Sequence, residues 1–155
     1  MILISHRGNI NGRFESWENE PTYIDLAIQK GYDVEIDVWC VDGIIWLGHD
    51  KPLYGGLSIN WFLKRANKLW IHCKNIEALE YFKNFTHEIN YFWHENDRAT
   101  VTSKIYIISH VDQEPIEGSI AMMPEKHNFD VSKCVGVCSD YIEKYKTDDT
   151  TNIRD

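Results

Sequence analysis

Glu35 and Asp37 lie in the stretch Tyr32 to Asp50, Y-D-V-E-I-D-V-W-C-V-D-G-I-I-W-L-G-H-D, which holds the densest set of reactive side chains in the chain. Val34, Ile36 and Val38 alternate with Glu35, Asp37 and Trp39, the period of a β-strand with one apolar face. The two acids therefore project side by side. Two buried carboxylates on one face repel each other and cost several kcal/mol, on the order of a lost ion pair, unless a cation lies between them. A divalent metal is the simplest such cation. Asp42-Gly43 is a hairpin turn signal and Ile44 to Leu47 forms the returning strand, which brings His49 and Asp50 back toward the acids. Taken alone, the same pattern also fits a solvated edge strand with a surface histidine.

The elements that must position these groups follow from the flanking sequence. Ile2 to Ser5 is a short apolar run ending in His6-Arg7-Gly8 and a polar loop, Asn9 to Ser16. Asn19 is placed to cap a helix from about Glu20 to Lys30, with Pro21 in the first turn and Gly31 at the end. The first unit thus reads β-α-β and implies parallel pairing. Ser58 is placed to cap a second helix to about Lys68, and Leu69 to Lys74 reads as a strand. Asn75 is placed to cap a third helix, Ile76 to about Phe85, and Ile89 to His94 reads as the next strand. Lys104 to Ser109, Ser119 to Met123 and Cys134 to Cys138 are further strands, too closely spaced for full helices between them.

Seven strand starts of this kind predict an α/β fold, a small, compressed TIM-type β/α barrel with several trimmed helices. An open or incomplete sheet is the alternative. One domain would span 1–146, with 147–155 a polar C-terminal tail. In such a barrel the carboxyl ends of the strands meet at one mouth. Here those ends carry His6, Glu35 with Asp37, His72 with Lys74, His94, His110, Glu125 and Asp140.

The composition narrows the partners. With 16 Lys plus Arg against 24 Asp plus Glu and a net charge of -8, the 155-residue chain is a poor match for a phosphate backbone, so no nucleic acid partner is expected. No apolar run reaches membrane-spanning length, which predicts no stable membrane insertion. A first strand starting at Ile2 leaves no room for a signal peptide, so the expected location is cytoplasmic. Cys40, Cys73, Cys134 and Cys138 lack the close spacing of a zinc or redox site and read as free thiols.

Five short motifs occur in order in the first third of the chain: His6-Arg7-Gly8, Glu18-Asn19, Glu35-Ile36-Asp37, Asp42-Gly43 and His49-Asp50. Together they resemble the glycerophosphodiester phosphodiesterase family, of the phosphatidylinositol-phospholipase-C-like phosphodiesterase superfamily. Val135 to Tyr141 is similar to that family's closing strand and the Asp-Tyr after it. The resemblance implies a hydrolase acting on a small-molecule, glycerol- or sugar-linked phosphodiester. His6 and His49 would be the catalytic acid/base pair, and Glu35 and Asp37 would hold Mg²⁺ or Ca²⁺. Arg7, Lys74 and Glu18 would serve the substrate phosphate or the groups around it.

One position departs from the family pattern. The third metal ligand in the family is acidic and stands two places before a lysine, whereas here His72 precedes Lys74. Exchanging a carboxylate for an imidazole removes a negative charge, weakens the site for hard cations and makes Mn²⁺ or Zn²⁺ more plausible. His72 pointing into the core is the alternative. Likewise Arg7 could be an ion-pair partner, Glu18 could orient Arg7 or favour a helix start, and Lys74 could pair with Glu35. Two other functions remain open at the level of sequence: a barrel that binds a phosphorylated ligand without turnover, and a cyclising phospholipase-type phosphodiesterase. Trimmed helices would leave apolar sheet exposed on one flank, so a homodimer is a further expectation.

Overall fold

The β-α-β unit predicted at the start of the chain is present in the computed structural model, which describes residues 1–146. The expected tail, 147–155, lies outside the described residues. Strand β1 (Ile2–His6) and strand β2 (Asp33–Val41) are parallel, with His6 opposite Glu35. Helix α1 (Pro21–Gln29) crosses between them. Asp42 and Gly43 both take positive φ, 52° and 75°, as a two-residue turn matching the strand twist requires. They lead into β3 (Ile44–Leu47), antiparallel to β2. A further edge strand, β4 (Tyr54–Leu57), follows.

Helix α2 (Ile59–Leu63) stops after five residues, well short of the expected Lys68. Strand β5 (Leu69–Cys73) then pairs in parallel with β2, placing His72 opposite Asp37. Helix α3 (Ile76–Phe82) is capped as expected by Asn75, whose side chain accepts from the Ala78 N–H. The same amide exchanges two hydrogen bonds with the Cys40 backbone and ties the helix start to β2.

Beyond β6 (Asn90–Phe92) the chain departs from the expected barrel. The described residues hold three short α-helices, all in the first 82 residues, and a mixed sheet of ten strands instead of a helix-rich β/α barrel. Strand β7 (Ala99–Val101) runs antiparallel to β8 (Ile107–Ser109), and β9 (Ile120–Met122) and β10 (Gly136–Ser139) follow in parallel. The sheet is not closed. Its order runs β4-β3-β2-β1-β10-β9-β8-β7, with β5 on β2 and β6 on β5. Between β6 and the β7 hairpin there is no ladder. One backbone bond, Ser103 N–H to the Tyr91 carbonyl (2.8 Å), and hydroxyl bonds from Ser103 to Ile89 (3.0 Å) and Thr100 to Trp93 (2.9 Å) span that gap. The β6–β7 and β7–β8 connections, 93–98 and 102–106, are shorter than the roughly 10–12 residues that a helical crossover needs, and the longer connections after β8 form no α-helix. A tight hairpin and short 3₁₀ turns at Pro124–Lys126 and Ile142–Tyr145 take the place of helices.

Two apolar clusters flank the sheet. Val34, Ile36 and Val38 of β2 meet Phe62, Phe82, Ala78 and Ile24 beneath the helices. On the opposite face Ile4, Trp70, Phe92, Ile108, Ile120 and Cys138, one from each of six strands, pack on one another. The predicted alternation of β2 is therefore correct, but both of its faces are covered. All four cysteines are free thiols, and burial pushes Cys73 up to about 12. Among the described residues no helix is long and apolar enough to cross a membrane.

Candidate active site

Glu35 and Asp37 point to the face opposite the helices and are both buried. Buried carboxylates need compensation, and each nearby element delivers a partner. Asn19 was expected as a helix cap. The cap is instead Glu20, whose carboxylate accepts from the Tyr23 N–H at 2.8 Å. Asn19 takes a left-handed φ of 64° and turns its amide onto Asp37. It donates to Oδ2 at 2.9 Å and accepts the Asp37 N–H at 2.9 Å. Side chain and backbone of Asp37 are thus fixed by one residue.

Arg7 follows β1 with φ 56°. Gly8 must follow it, because φ is 93° there and a Cβ would stand 2.5 Å from the Tyr23 ring. This bend aims the Arg7 guanidinium inward. Nε lies 2.8 Å from Asp37 Oδ2, and Nη1 donates to Glu18 Oε2 at 3.1 Å. Glu18 also accepts from Asn9 (2.9 Å) and Arg13 (3.0 Å), so its carboxylate serves to hold Arg7 and the loop. Lys74 reaches Asp37 Oδ1 at 3.5 Å, and not Glu35 as one sequence alternative had it.

His72 faces the acids and not the core. Its Nδ1 lies 3.2 Å from Asp37 Oδ1 and 3.7 Å from Glu35 Oε1. One ligand atom from each of Glu35, Asp37 and His72 lies within 4.8 Å of the other two. Glu35 Oε2 and Asp37 Oδ1 are buried and have no hydrogen-bond partner. Two carboxylate oxygens and one imidazole nitrogen, two of the donor groups left unpartnered, fit a divalent cation of Mn²⁺ or Zn²⁺ character and accept Mg²⁺ or Ca²⁺ less well.

His6 and His49 are brought to this group from opposite sides. His6 Nε2 lies 3.8 Å from Glu35 Oε2, and its Nδ1 bonds Asp140 Oδ1 at 2.7 Å. Asn9 also donates to Asp140 Oδ1, at 2.9 Å. His49 Nδ1 is 2.6 Å from Arg7 Nη2 and 3.3 Å from Asp37 Oδ2. It cannot accept from one and donate to the other at once. An arginine nitrogen only donates, so the shorter contact assigns the lone pair to Nδ1 and the proton to Nε2.

The charges of the site follow from this geometry. Burial alone would lower His6, but the Asp140 hydrogen bond and the Glu35 charge outweigh it and raise its pKa. Burial and the Asp37 charge raise Glu35. Burial opposes ionisation of Asp37 too, yet the His49 and His72 imidazoles beside it and the Arg7 charge hold it well below the usual carboxylate range. Asp37 is the fixed anion, and Glu35 is the acid that a bound cation would relieve.

These groups line a cavity of about 370 Å³ at the carboxyl ends of the parallel strands, where Arg7, His6, Glu35, His49, His72 and Asp140 all reach it. His94 and His110 line it as well. Burial above all, with nearby His72, lowers His94 to about 3 and His110 to about 4. Glu125, expected at the same mouth, is instead bonded by Ser139 (2.7 Å) and Tyr145 (3.3 Å). Sequence reasoning missed Asn9 and the role of Asn19. A buried polar loop residue and a helix cap look alike in sequence, and only the Glu-Asn dipeptide beside Arg7 hinted at more. Compared with family models, curated proteins and solved structures, the chain matches none.

Proposed function

We propose that this chain is a metal-dependent phosphoric diester hydrolase of the kind its motifs resemble, cleaving a glycerol- or sugar-linked phosphodiester. One observation carries the reading: two histidines flank a buried Glu-Asp-His group with an unpartnered oxygen on each acid, beside a cavity that His6, Glu35, His49 and His72 line. A divalent cation held by Glu35, Asp37 and His72 would supply positive charge where the phosphoryl oxygens gain negative charge. Arg7, freed from His49, turns a donor to one of those oxygens, and Glu18 keeps the guanidinium in place.

His49 is the base and His6 the acid. The free Nδ1 lone pair of His49 takes the proton of the attacking hydroxyl, from water or from the substrate itself, as the new O–P bond forms. His6, whose pKa Asp140 and Glu35 raise against burial, gives its proton to the leaving oxygen as the old P–O bond breaks. Asp140 holds the His6 ring and stabilises its charge. A cytosolic location fits the free thiols.

Incubation with bis(p-nitrophenyl) phosphate or a glycerophosphodiester and Mg²⁺, Ca²⁺ or Mn²⁺ is expected to release product. His6→Ala and His49→Ala are each expected to reduce turnover roughly 10²–10⁴-fold. No turnover with any of the three metals overturns the reading. Phosphorus NMR separates a cyclic first product from direct hydrolysis. Binding without turnover is favoured by a single feature, that Arg7 and Lys74 already pair with Asp37. That outcome appears as phosphate binding with no product.

A further inference from the structure

The acid and the phosphate-binding guanidinium rest on two separate carboxylates. Asp140 backs His6 through the 2.7 Å contact at Nδ1, and Glu18 backs Arg7 through a 3.1 Å bond from Nη1. These carboxylates come from opposite ends of the chain, and one residue joins them. Asn9 Nδ2 donates to Glu18 Oε1 and to Asp140 Oδ1, both at 2.9 Å. An amide nitrogen carries two hydrogens, and here each goes to a different carboxylate.

The amide has one way round. Its Oδ1 accepts the Phe14 N–H at 3.1 Å and the Tyr23 hydroxyl at 3.3 Å. Burial, with Glu18 and Asp140 nearby, raises the Tyr23 pKa, so that hydroxyl stays a donor. Donors meet one end of the side chain and carboxylates the other, which assigns oxygen and nitrogen. The backbone is fixed as well. The Ser5 hydroxyl donates to the Asn9 carbonyl at 2.8 Å, and the Asn9 N–H donates to the His6 carbonyl at 2.9 Å. Asn9 is fully buried and is not among the residues that line the cavity of His6 and Arg7, so any influence on the reaction passes through its neighbours.

We propose that Asn9 is a positioning residue: by dividing its amide hydrogens between Glu18 and Asp140, it sets the Arg7 guanidinium and the His6 ring as one unit. Charge on the phosphoryl oxygens is then met in the same arrangement in which the leaving oxygen receives its proton. Glu18 has a further tie to Arg13 at 3.0 Å. Among the described residues the Asp140 carboxylate is hydrogen-bonded by His6 and Asn9 alone, and without Asn9 it can swing away from the ring. The inference rests on the hydrolase reading for what Arg7 and His6 do, and its first readout does not require turnover.

The experiment is hydrogen exchange by nuclear magnetic resonance in Mg²⁺ buffer, followed by kinetics on bis(p-nitrophenyl) phosphate. In wild type both Asn9 amide hydrogens, the His6 Nδ1 hydrogen and the Arg7 Nη1 hydrogens are expected to exchange slowly with water. In Asn9→Ala the His6 and Arg7 hydrogens are expected to exchange about tenfold faster together, the worth of one hydrogen bond to a charged group. Turnover at saturating substrate is expected to fall about 100-fold, as displaced reacting groups imply. Asn9→Asp combined with Glu18→Gln keeps the shapes, reverses donor and acceptor across the Glu18 bond and sets like charges against each other at Asp140. It is expected to keep Arg7 protected and leave His6 unprotected, a split that a general loss of stability does not produce. Unchanged protection in Asn9→Ala, or equal loss on both sides in the paired variant, overturns the bridge. If Asn9→Ala does not fold, the paired variant decides, and fast exchange of either Asn9 amide hydrogen in wild type overturns the bridge with no variant at all. Faster exchange with unchanged turnover retires the positioning role. Faster exchange in a protein whose wild type cleaves nothing retires the hydrolase and leaves the bridge standing.

Discussion

The two halves of the sheet are built differently. From β1 to β5 the strands are backed by three helices and one cluster of fifteen buried apolar residues. From β6 to β10 the strands are three or four residues long; α3 still reaches β6, where Phe82 meets Tyr91, but no α-helix follows β6 among the described residues. The thick half holds Arg7, Glu35, Asp37, His49 and His72, and the thin half supplies Asp140 and the cavity wall of Phe92, His94, His110, Met122 and Met123. Buried charges must be held to within tenths of an ångström to repay their desolvation. They stand where packing on both faces of β2 fixes the backbone. A wall without formal charge tolerates a less rigid frame.

The largest expected effect tests this division directly. Phe82 is fully buried in the thick half, where it meets Phe62 edge-on at 5.3 Å between ring centroids. Phe82→Ala is expected to cost about 3–5 kcal/mol, from lost transfer and from the cavity left behind. Met122 in the thin half is only partly buried, so Met122→Ala is expected to cost about 1 kcal/mol, near the middle of ordinary point substitutions. Urea unfolding of both variants reads the difference. Equal losses would mean that the thin half is as tightly packed as the thick one.

The same contrast governs how much could be read from the sequence. In the thick half, the alternation around Glu35, the Asp42-Gly43 turn and the Asn75 cap each encode local geometry in a few adjacent residues, and all three are present. The thin half is held by contacts between residues far apart, such as Ser103 with Ile89 or His6 with Asp140. No local period announces them. Reading a closed, if trimmed, barrel through that half overlooked the antiparallel β7–β8 hairpin that leaves the sheet open, and β4 and β7 were missed because Gly-Gly and a three-residue edge strand carry too few side chains to show a period. At the site, residue types pointed to the acids and both histidines. Asn19 gave a capping signal, and its actual bond to Asp37 required knowing that β2 passes alongside.

Asp140 is where the thin half reaches into the charged site, and Asp140→Asn is the second test. His6 owes its raised pKa to Asp140 and Glu35 acting against burial. Removing the Asp140 charge lowers that pKa. The high-pH limb of the rate profile, where the acid loses its proton, is therefore expected to move to lower pH, with a loss of turnover of roughly 10–100-fold above neutrality. The stability effect has a defined window. Asp140 is held below its ordinary value, mainly by the His6 hydrogen bond working against burial, so its contribution is present above about pH 4 and fades as pH falls through the lowered pKa. The raised His6 contributes fully below about pH 6.5 and fades as pH rises through its folded pKa. The wild type's advantage over the variant in thermal melts is expected to peak between those limits. An unshifted rate profile would mean that Asp140 does not act through His6.

A smaller effect is expected from restoring the acid at the metal group. His72→Glu adds a carboxylate beside Glu35 and Asp37, and Mg²⁺ affinity by calorimetry is expected to rise about tenfold because hard cations favour oxygen ligands. The apo variant should in turn be less stable than wild type, since a third buried acid meets the same Arg7 and Lys74. Unchanged or weaker Mg²⁺ binding would remove His72 from the ligand set.

The smallest expected effect lies at the far end of the thin half. Ile105, at the tip of the β7–β8 hairpin, is 84 % exposed and takes φ 65°. For a β-branched residue that conformation is strained by about 1–2 kcal/mol. Glycine relieves the strain and returns part of the gain by loosening the unfolded chain, at about 0.5–1 kcal/mol. Ile105→Gly is therefore expected to stabilise the protein by roughly 0.5–1 kcal/mol in urea unfolding at low protein concentration. Val101 and Ile107, exposed on the same hairpin, are the surface that a second copy would cover in the dimer expected from the trimmed helices. If a second copy does cover it, the wild-type melting temperature rises with protein concentration, light scattering gives twice the chain mass, and Ile105→Gly loses both properties. A monomer at micromolar concentration, with the variant the more stable at every concentration, assigns Ile105 to local strain alone and leaves the thin half to fold without a partner.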